Sequence, residues 1–129
     1  MRGAIFDVDG TLVDSNDAHA ESWVDAFREH GYDIPYYRVR PLIGMGGDRL
    51  ICALASIDED SAEGEKIAEG RKELFLRDYL HKVKAFDGAR ELLVRLDERA
   101  LALTVASSSE DEILERLLAL TGASHLLER

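Results

Sequence analysis

Two short apolar runs lack the hydrophobic–polar alternation that a half-exposed strand would carry. Gly3-Ala4-Ile5-Phe6-Asp7 lies near the start of the chain and Leu101–Ala106 near its end. Each is bounded by turn-forming or polar residues, so each reads as a strand. Strands without alternation suit a parallel sheet covered on both faces. The 129 residues have room for one compact domain, or a small core carrying an insertion. An α/β fold is therefore expected.

Everything between the two strands reads as helix and loop. From Asn16 to His30 the pattern is helical, with Trp23, Val24 and Phe27 on one face and Gly31 placed as the stop. Pro35 and Pro41 break the chain into a short helical turn and the loop Gly44-Met45-Gly46-Gly47. Asp48 to Ser56 predicts another helix. A longer one is expected from about Ser61 to His81, striped by Ile67, Leu74, Phe75 and Tyr79 and weakened at Gly64 and Gly70. Asp87 can cap a helix running to about Arg99 with Leu92, Leu93 and Leu96 facing inward. Ser109 and Glu112 form a capping box for a final helix carrying Ile113, Leu114, Leu117 and Leu118, which Gly122 ends. The expected organisation is an α/β core from residues 1–14 and 84–129 with residues 15–83 as a helical insertion. Neither internal repeats nor low-complexity segments interrupt it.

Charge narrows the partners. A net charge of −10 argues against non-specific nucleic-acid binding, which needs a basic face. It also requires that an anionic ligand be drawn in locally, by a metal ion or by backbone N–H groups. Cys52 is the single cysteine, so no internal disulfide forms, and its apolar surroundings predict a reduced, buried thiol. No run approaches the length of a membrane span, and no signal-peptide pattern opens the chain. Neither nucleic acid nor membrane is an expected partner, and a cytoplasmic protein is the default.

In sheets of this kind ligands collect at the carboxyl ends of the strands. Both strands end in chemically useful residues: Asp7 and Asp9 at the first, Ser107 at the second. Two acids separated by one residue can point into a common site and take different roles if their environments differ. Gly10 lets the backbone turn sharply and approach a ligand. Taken alone, Asp-x-Asp-Gly-Thr would also fit an ordinary turn or a calcium-loop fragment.

Phe6-Asp7-Val8-Asp9-Gly10-Thr11-Leu12-Val13-Asp14-Ser15 closely resembles the first motif of haloacid dehalogenase-like (HAD) phosphohydrolases. Val105-Ala106-Ser107-Ser108-Ser109 resembles their second, an apolar strand ending in Ser or Thr. The helical stretch between the motifs is similar to the subgroup with a small α-helical cap, which includes phosphoglycolate phosphatase-like enzymes and β-phosphoglucomutases. The resemblance covers essentially the whole chain. It implies a Rossmann-like parallel-sheet core with an inserted helical cap, and a small phosphorylated metabolite as substrate. Carried over by position, it implies Asp7 as nucleophile and Asp9 as general acid and base. It implies Mg²⁺ held by the Asp7 carboxylate and the Asp9 backbone carbonyl. It implies phosphate binding by Ser107 with backbone N–H groups near Gly10 and Ser108, at a helix start that Glu110, Asp111 and Glu112 partly oppose.

The cap residues singled out by the same resemblance are Thr11, His19, Gly44, Gly47 and Arg49. His19 lies four residues before Trp23 on one helix face, where either a place near the active site or a partly buried structural role fits. Gly44–Gly47 resembles the loop that covers substrate. Gly47 stands where the sugar-phosphate mutases carry arginine, with Arg49 nearby as a stand-in. Gly47 and Thr11 favour hydrolysis over mutase activity.

The family's third motif supplies a lysine and its fourth a set of acids. No lysine follows Lys84, and only 22 residues follow Ser107. A truncated phosphatase with impaired activity is thus expected, with a truncated mutase as the alternative. A third alternative is a non-catalytic module that self-associates through an open apolar edge at Ala4-Ile5-Phe6. Ala100 is a smaller departure, standing where many relatives have glycine.

Overall fold

The computed structural model describes residues 2–128. The chain divides into two compact units, residues 1–15 with 83–129, and residues 16–82.

The first unit is α/β. Strand β1 (Gly3–Asp7) pairs in parallel with β4 (Ala102–Ala106), in a register that sets Gly3 opposite Ala102 and Asp7 opposite Ala106. A short β5 (Leu127–Glu128), which the apolar pattern does not announce, extends the sheet on the other side of β4, where the Thr104 hydroxyl donates to the Glu128 carbonyl at 2.6 Å. Among the described residues the order is β1-β4-β5, with β1 at an edge. A second ladder joins β2 (Val13–Asp14) antiparallel to β3 (Lys84–Ala85), tying together the segments where the chain leaves this unit and returns to it.

Helices α5 (Ala89–Glu98) and α6 (Asp111–Ala119) flank β4 in sequence. Leu93, Leu103, Ile113, Leu117 and Leu118 are buried at 2% exposure or less and form the apolar interior with Val8 and Leu12. Burial of this kind stabilises by about 1.5–3 kcal/mol per large side chain.

Three expectations are corrected here. The parallel pairing holds, but coverage of both faces does not: Ile5 is 74% exposed, because the described residues place nothing over that side of β1. Leu92 is exposed rather than inward, since α5 begins at Ala89 and its face is set by Leu93. Asp87 does not cap α5; Gly88 occupies that position in the left-handed region (φ 86°), with no side-chain cap. Ala100 itself adopts φ 60° at the turn into β4, where an L side chain costs about 1–2 kcal/mol relative to glycine.

The second unit is helical: α1 (Asn16–Glu29), α2 (Tyr36–Val39), α3 (Gly47–Ala55) and α4 (Ala62–Leu74). Its core gathers Ala20, Trp23, Phe27, Ile34, Val39, Leu50, Ile51, Ile57 and Ile67. Ser61 caps α4 by accepting the Gly64 amide at 3.1 Å. The single long helix expected over 61–81 does not persist. After Leu74 the chain widens into a π-helical turn at Phe75–Tyr79 and then tightens at Leu80–Lys82. Cys52 is exposed, not buried, because the inward stripe of α3 runs through Leu50 and Ile51. No helix among the described residues is long and apolar enough to cross a membrane.

Candidate active site

The end of β1 runs into a tight turn wound about one carbonyl. Val8 is fully buried, and its carbonyl accepts the amides of Thr11, Leu12 and Val13 at 2.9–3.1 Å. The Gly10 amide donates to the Val13 carbonyl at 2.8 Å. Gly10 sits at φ 80°, which only glycine adopts cheaply, so the turn closes there. The turn leaves Asp7 exposed at the strand end and Asp9 half-buried at the tip.

Asp9 is held from two directions. The hydroxyl of Ser15, fully buried at the start of α1, donates to its Oδ1. The hydroxyl of Ser109, just past β4, donates to its Oδ2 at 3.0 Å. Ser109 is therefore not the cap of α6. Glu110 takes that position with extended backbone and no side-chain cap, because the Ser109 hydroxyl is committed to a residue 100 positions earlier. The Ser109 amide donates to Ser107 Oγ at 3.0 Å, which leaves the Ser107 O–H directed elsewhere. Ser107 directly follows Ala106, the register partner of Asp7. Asp7, Asp9, Ser107 and Ser109 thus gather at the carboxyl ends of two adjacent parallel strands. Ser108 is exposed beside them, and Thr11 is exposed on the turn.

Sequence reasoning missed Ser15 and Ser109 as site residues. The available signals were the position of Ser15 before α1 and a third hydroxyl after Ser107 and Ser108. Either pattern is more common as capping chemistry.

His19, Gly44, Gly47 and Arg49 belong to the helical unit. His19 is 4% exposed; its ring stacks on Phe75 at 4.7 Å between centroids, and Nδ1 meets the guanidinium of Arg71. Arg71 is also buried. Its Nε donates to Ser22 Oγ at 3.1 Å, and its guanidinium lies 4.9 Å from the Trp23 ring and 5.1 Å from that of Phe75. A desolvated cation between two aromatic faces gains from both. Arg71 shares its helix face with Ile67 and Leu74, so periodicity could have flagged it as inward-facing. Gly44 adopts φ 110° in the loop before α3. Gly47 opens α3 against Trp23, where a Cβ would come within 2.9 Å of the indole. Arg49 is exposed on α3.

Tyr79 and Asp17 of this second unit have clearly shifted ionisation. Burial, then the hydrogen bond to Asp25, pushes the Tyr79 phenol well above its usual range. The Arg40 guanidinium, with help from the Tyr36 hydroxyl, holds Asp17 below the usual carboxylate range.

No group of three or more His, Cys, Asp or Glu that could hold a metal ion occurs among the described residues. The strand-end donors nevertheless fit Mg²⁺, which keeps several waters and needs only one or two protein oxygens. Asp7 offers an exposed carboxylate. Serine hydroxyls donate to both side-chain oxygens of Asp9, and the resemblance assigns its main-chain carbonyl as the second donor.

Comparison with known proteins shows the family and the fold. A family model described as "Haloacid dehalogenase-like hydrolase" matches residues 4–129. The validoxylamine A 7′-phosphate phosphatase of Streptomyces hygroscopicus subsp. limoneus is 34% identical, over 97% of this chain and 58% of that protein. The plasmid protein CbbY of Cupriavidus necator is 31% identical, over 92% of this chain and 51% of that protein. A crystal structure of a hydrolase from Pseudomonas syringae superposes with a TM-score of 0.85 at 27% identity, covering 94% of this chain and 56% of that one. The chain spans about half the length of these relatives.

Proposed function

Because this chain belongs to the haloacid dehalogenase-like hydrolase family, we propose that its α/β unit carries the nucleophile and acid–base half of a phosphomonoesterase site. The substrate class is a small phosphorylated metabolite. The observation that carries the reading is the register of β1 against β4, with Asp7 opposite Ala106 and Ser107 next in line.

In the first step an Asp7 carboxylate oxygen attacks phosphorus and the bond to the leaving oxygen breaks. Asp9 delivers a proton to that oxygen, and an aspartyl-phosphate remains on Asp7. In the second step Asp9 takes a proton from water as the water oxygen attacks phosphorus. The Asp7–phosphorus linkage breaks and inorganic phosphate leaves. Ser107 donates its hydroxyl to a phosphoryl oxygen throughout, helped by backbone N–H groups near Gly10 and Ser108. The Asp7 carboxylate and the Asp9 main-chain carbonyl would hold Mg²⁺, which would neutralise charge on the phosphoryl group.

Residues 16–82 act in this reading as the cap that selects the substrate. Hydrolysis is favoured over mutase chemistry by Gly47, because the Trp23 indole fills the space where a side chain at that position would begin. The relative from Streptomyces is named as a phosphatase, which supports the same class.

The direct test is Mg²⁺-dependent phosphate release from an aryl phosphate by the full-length protein and its Asp7→Asn variant. Turnover is expected to fall on the order of a thousandfold or more in the variant and to vanish with a chelator. Undiminished turnover by Asp7→Asn sinks the nucleophile assignment.

A second reading, self-association through the β1 edge, is favoured by the exposure of Ile5 and the terminal place of β1 in the sheet. Light scattering across a concentration series decides it; a constant monomeric mass at high concentration removes it.

A further inference from the structure

We propose that Ser109 is a positioning residue which links the phosphate-binding serine to the acid–base carboxylate and sets the orientation of both. The inference rests on the proposed roles of Asp9 and Ser107, but the contacts behind it stand by themselves. Ser109 makes two hydrogen bonds with different partners: its amide donates to Ser107 Oγ and its hydroxyl donates to Asp9 Oδ2, each at 3.0 Å. One residue therefore spans the gap between the end of β4 and the turn after β1.

The two bonds have distinct consequences. The amide bond occupies one lone pair of the Ser107 hydroxyl, so the Ser107 proton points away from the Ser109 amide and can be donated to a ligand. The hydroxyl bond fixes the second oxygen of a carboxylate whose first is already held by Ser15. With one anchor the carboxylate can still rotate about its side-chain bonds; with two on opposite oxygens its plane is set. A half-buried carboxylate fixed in this way has paid its orientational entropy before substrate arrives. That is the condition under which an acid–base group contributes most to rate. The Ser109 hydroxyl could instead have capped α6, where Glu110 is the N-cap with no side-chain cap bond.

Replacing Ser109 by Ala removes the hydroxyl bond and keeps the amide bond, so it isolates the effect on Asp9. Two measurements on the full-length protein test this. The first needs no activity: with ¹³C-labelled aspartate carboxyls, the Asp9 signal is identified by its loss in Asp9→Asn. It is expected to shift in Ser109→Ala and in Ser15→Ala while the other aspartate signals stay in place. An unmoved Asp9 signal in Ser109→Ala overturns the proposal. The second is steady-state hydrolysis of an aryl phosphate. Ser109→Ala is expected to lower kcat about tenfold with little change in KM, and Ser109→Thr, which restores the hydroxyl, to recover most of the loss. Loss of turnover that Thr does not rescue, or an effect confined to KM, also overturns it. If Asp7→Asn retains full turnover, the proposed function fails, while the carboxyl signals still decide whether Ser109 holds Asp9.

Discussion

The two units of this chain handle buried polarity in opposite ways. In the α/β unit the polar groups that matter are small and hydroxylic, gathered at strand ends around half-exposed carboxylates. Ser15 and Ser109 hold Asp9, and Ser109 holds Ser107. In the helical unit the polar group is large and cationic, enclosed by rings: Arg71 lies between Trp23 and Phe75, and His19 stacks on the same Phe75. The first arrangement leaves its charges where a ligand can reach them. The second keeps its cation buried beside aromatic rings. On the proposed function, the contrast separates the unit that carries the reacting groups from the unit that shapes the substrate's surroundings, and substitutions in the two should fail in different assays.

The sharpest break of that contrast compares Asp7→Asn with Phe75→Ala. The first is expected to remove turnover on the order of a thousandfold or more while thermal unfolding is unchanged, since Asp7 is exposed. The second deletes a fully buried ring that stacks on His19 and lies beside Arg71. It should destabilise residues 16–82 by about 3–5 kcal/mol, followed through the fluorescence of the single tryptophan in denaturant. An unfolding midpoint unmoved by Phe75→Ala would show that the aromatic layer is not what holds this unit.

Gly47→Ala probes the same layer from its other side. The added Cβ meets the Trp23 indole at 2.9 Å, so the ring must shift, at a cost of about 1–3 kcal/mol with an altered emission maximum. Emission and stability identical to the parent protein would mean the indole has room to spare.

The smallest expected effect concerns pH. The Tyr79 phenol, raised by burial and by its bond to Asp25, keeps its proton in the folded state after it would ionise in the unfolded chain. Its stabilisation is therefore complete below about pH 10 and declines as pH rises beyond that value. Tyr79→Phe should cost about 1 kcal/mol near neutrality, and its gap to the parent should narrow in alkaline unfolding series. A gap constant up to the alkaline limit would remove Tyr79 from the helical unit's pH response.

Much of the fold was legible because its signals are local. The strands over 3–7 and 102–106 lie within one residue of the apolar runs that announced them. The helices α1 and α6 carry the buried stripes their periodicity required. The short ladders β2–β3 and β5 were invisible because two residues carry no period. The π-helical turn at Phe75–Tyr79 was hidden because the apolar stripe continues through it while the backbone widens. Within the site, the strand-end location of Asp7, Asp9 and Ser107 followed from where two apolar runs stop. The commitment of Ser109 did not: Ser109 with Glu112 matches a capping box, and only the approach of a carboxylate distant in sequence diverts the hydroxyl.

Residue order alone therefore determined the two principal strands and the helices α1 and α6, that those strands lie parallel, and that acids and hydroxyls end up at their carboxyl ends. Tertiary structure decided which hydroxyl serves Asp9, which cation is enclosed by rings, why position 47 cannot take a side chain without moving Trp23, and which face of β1 stays open. Periodicity is a property of neighbours along the chain. A hydrogen bond across 100 residues exists only once the chain has folded back on itself.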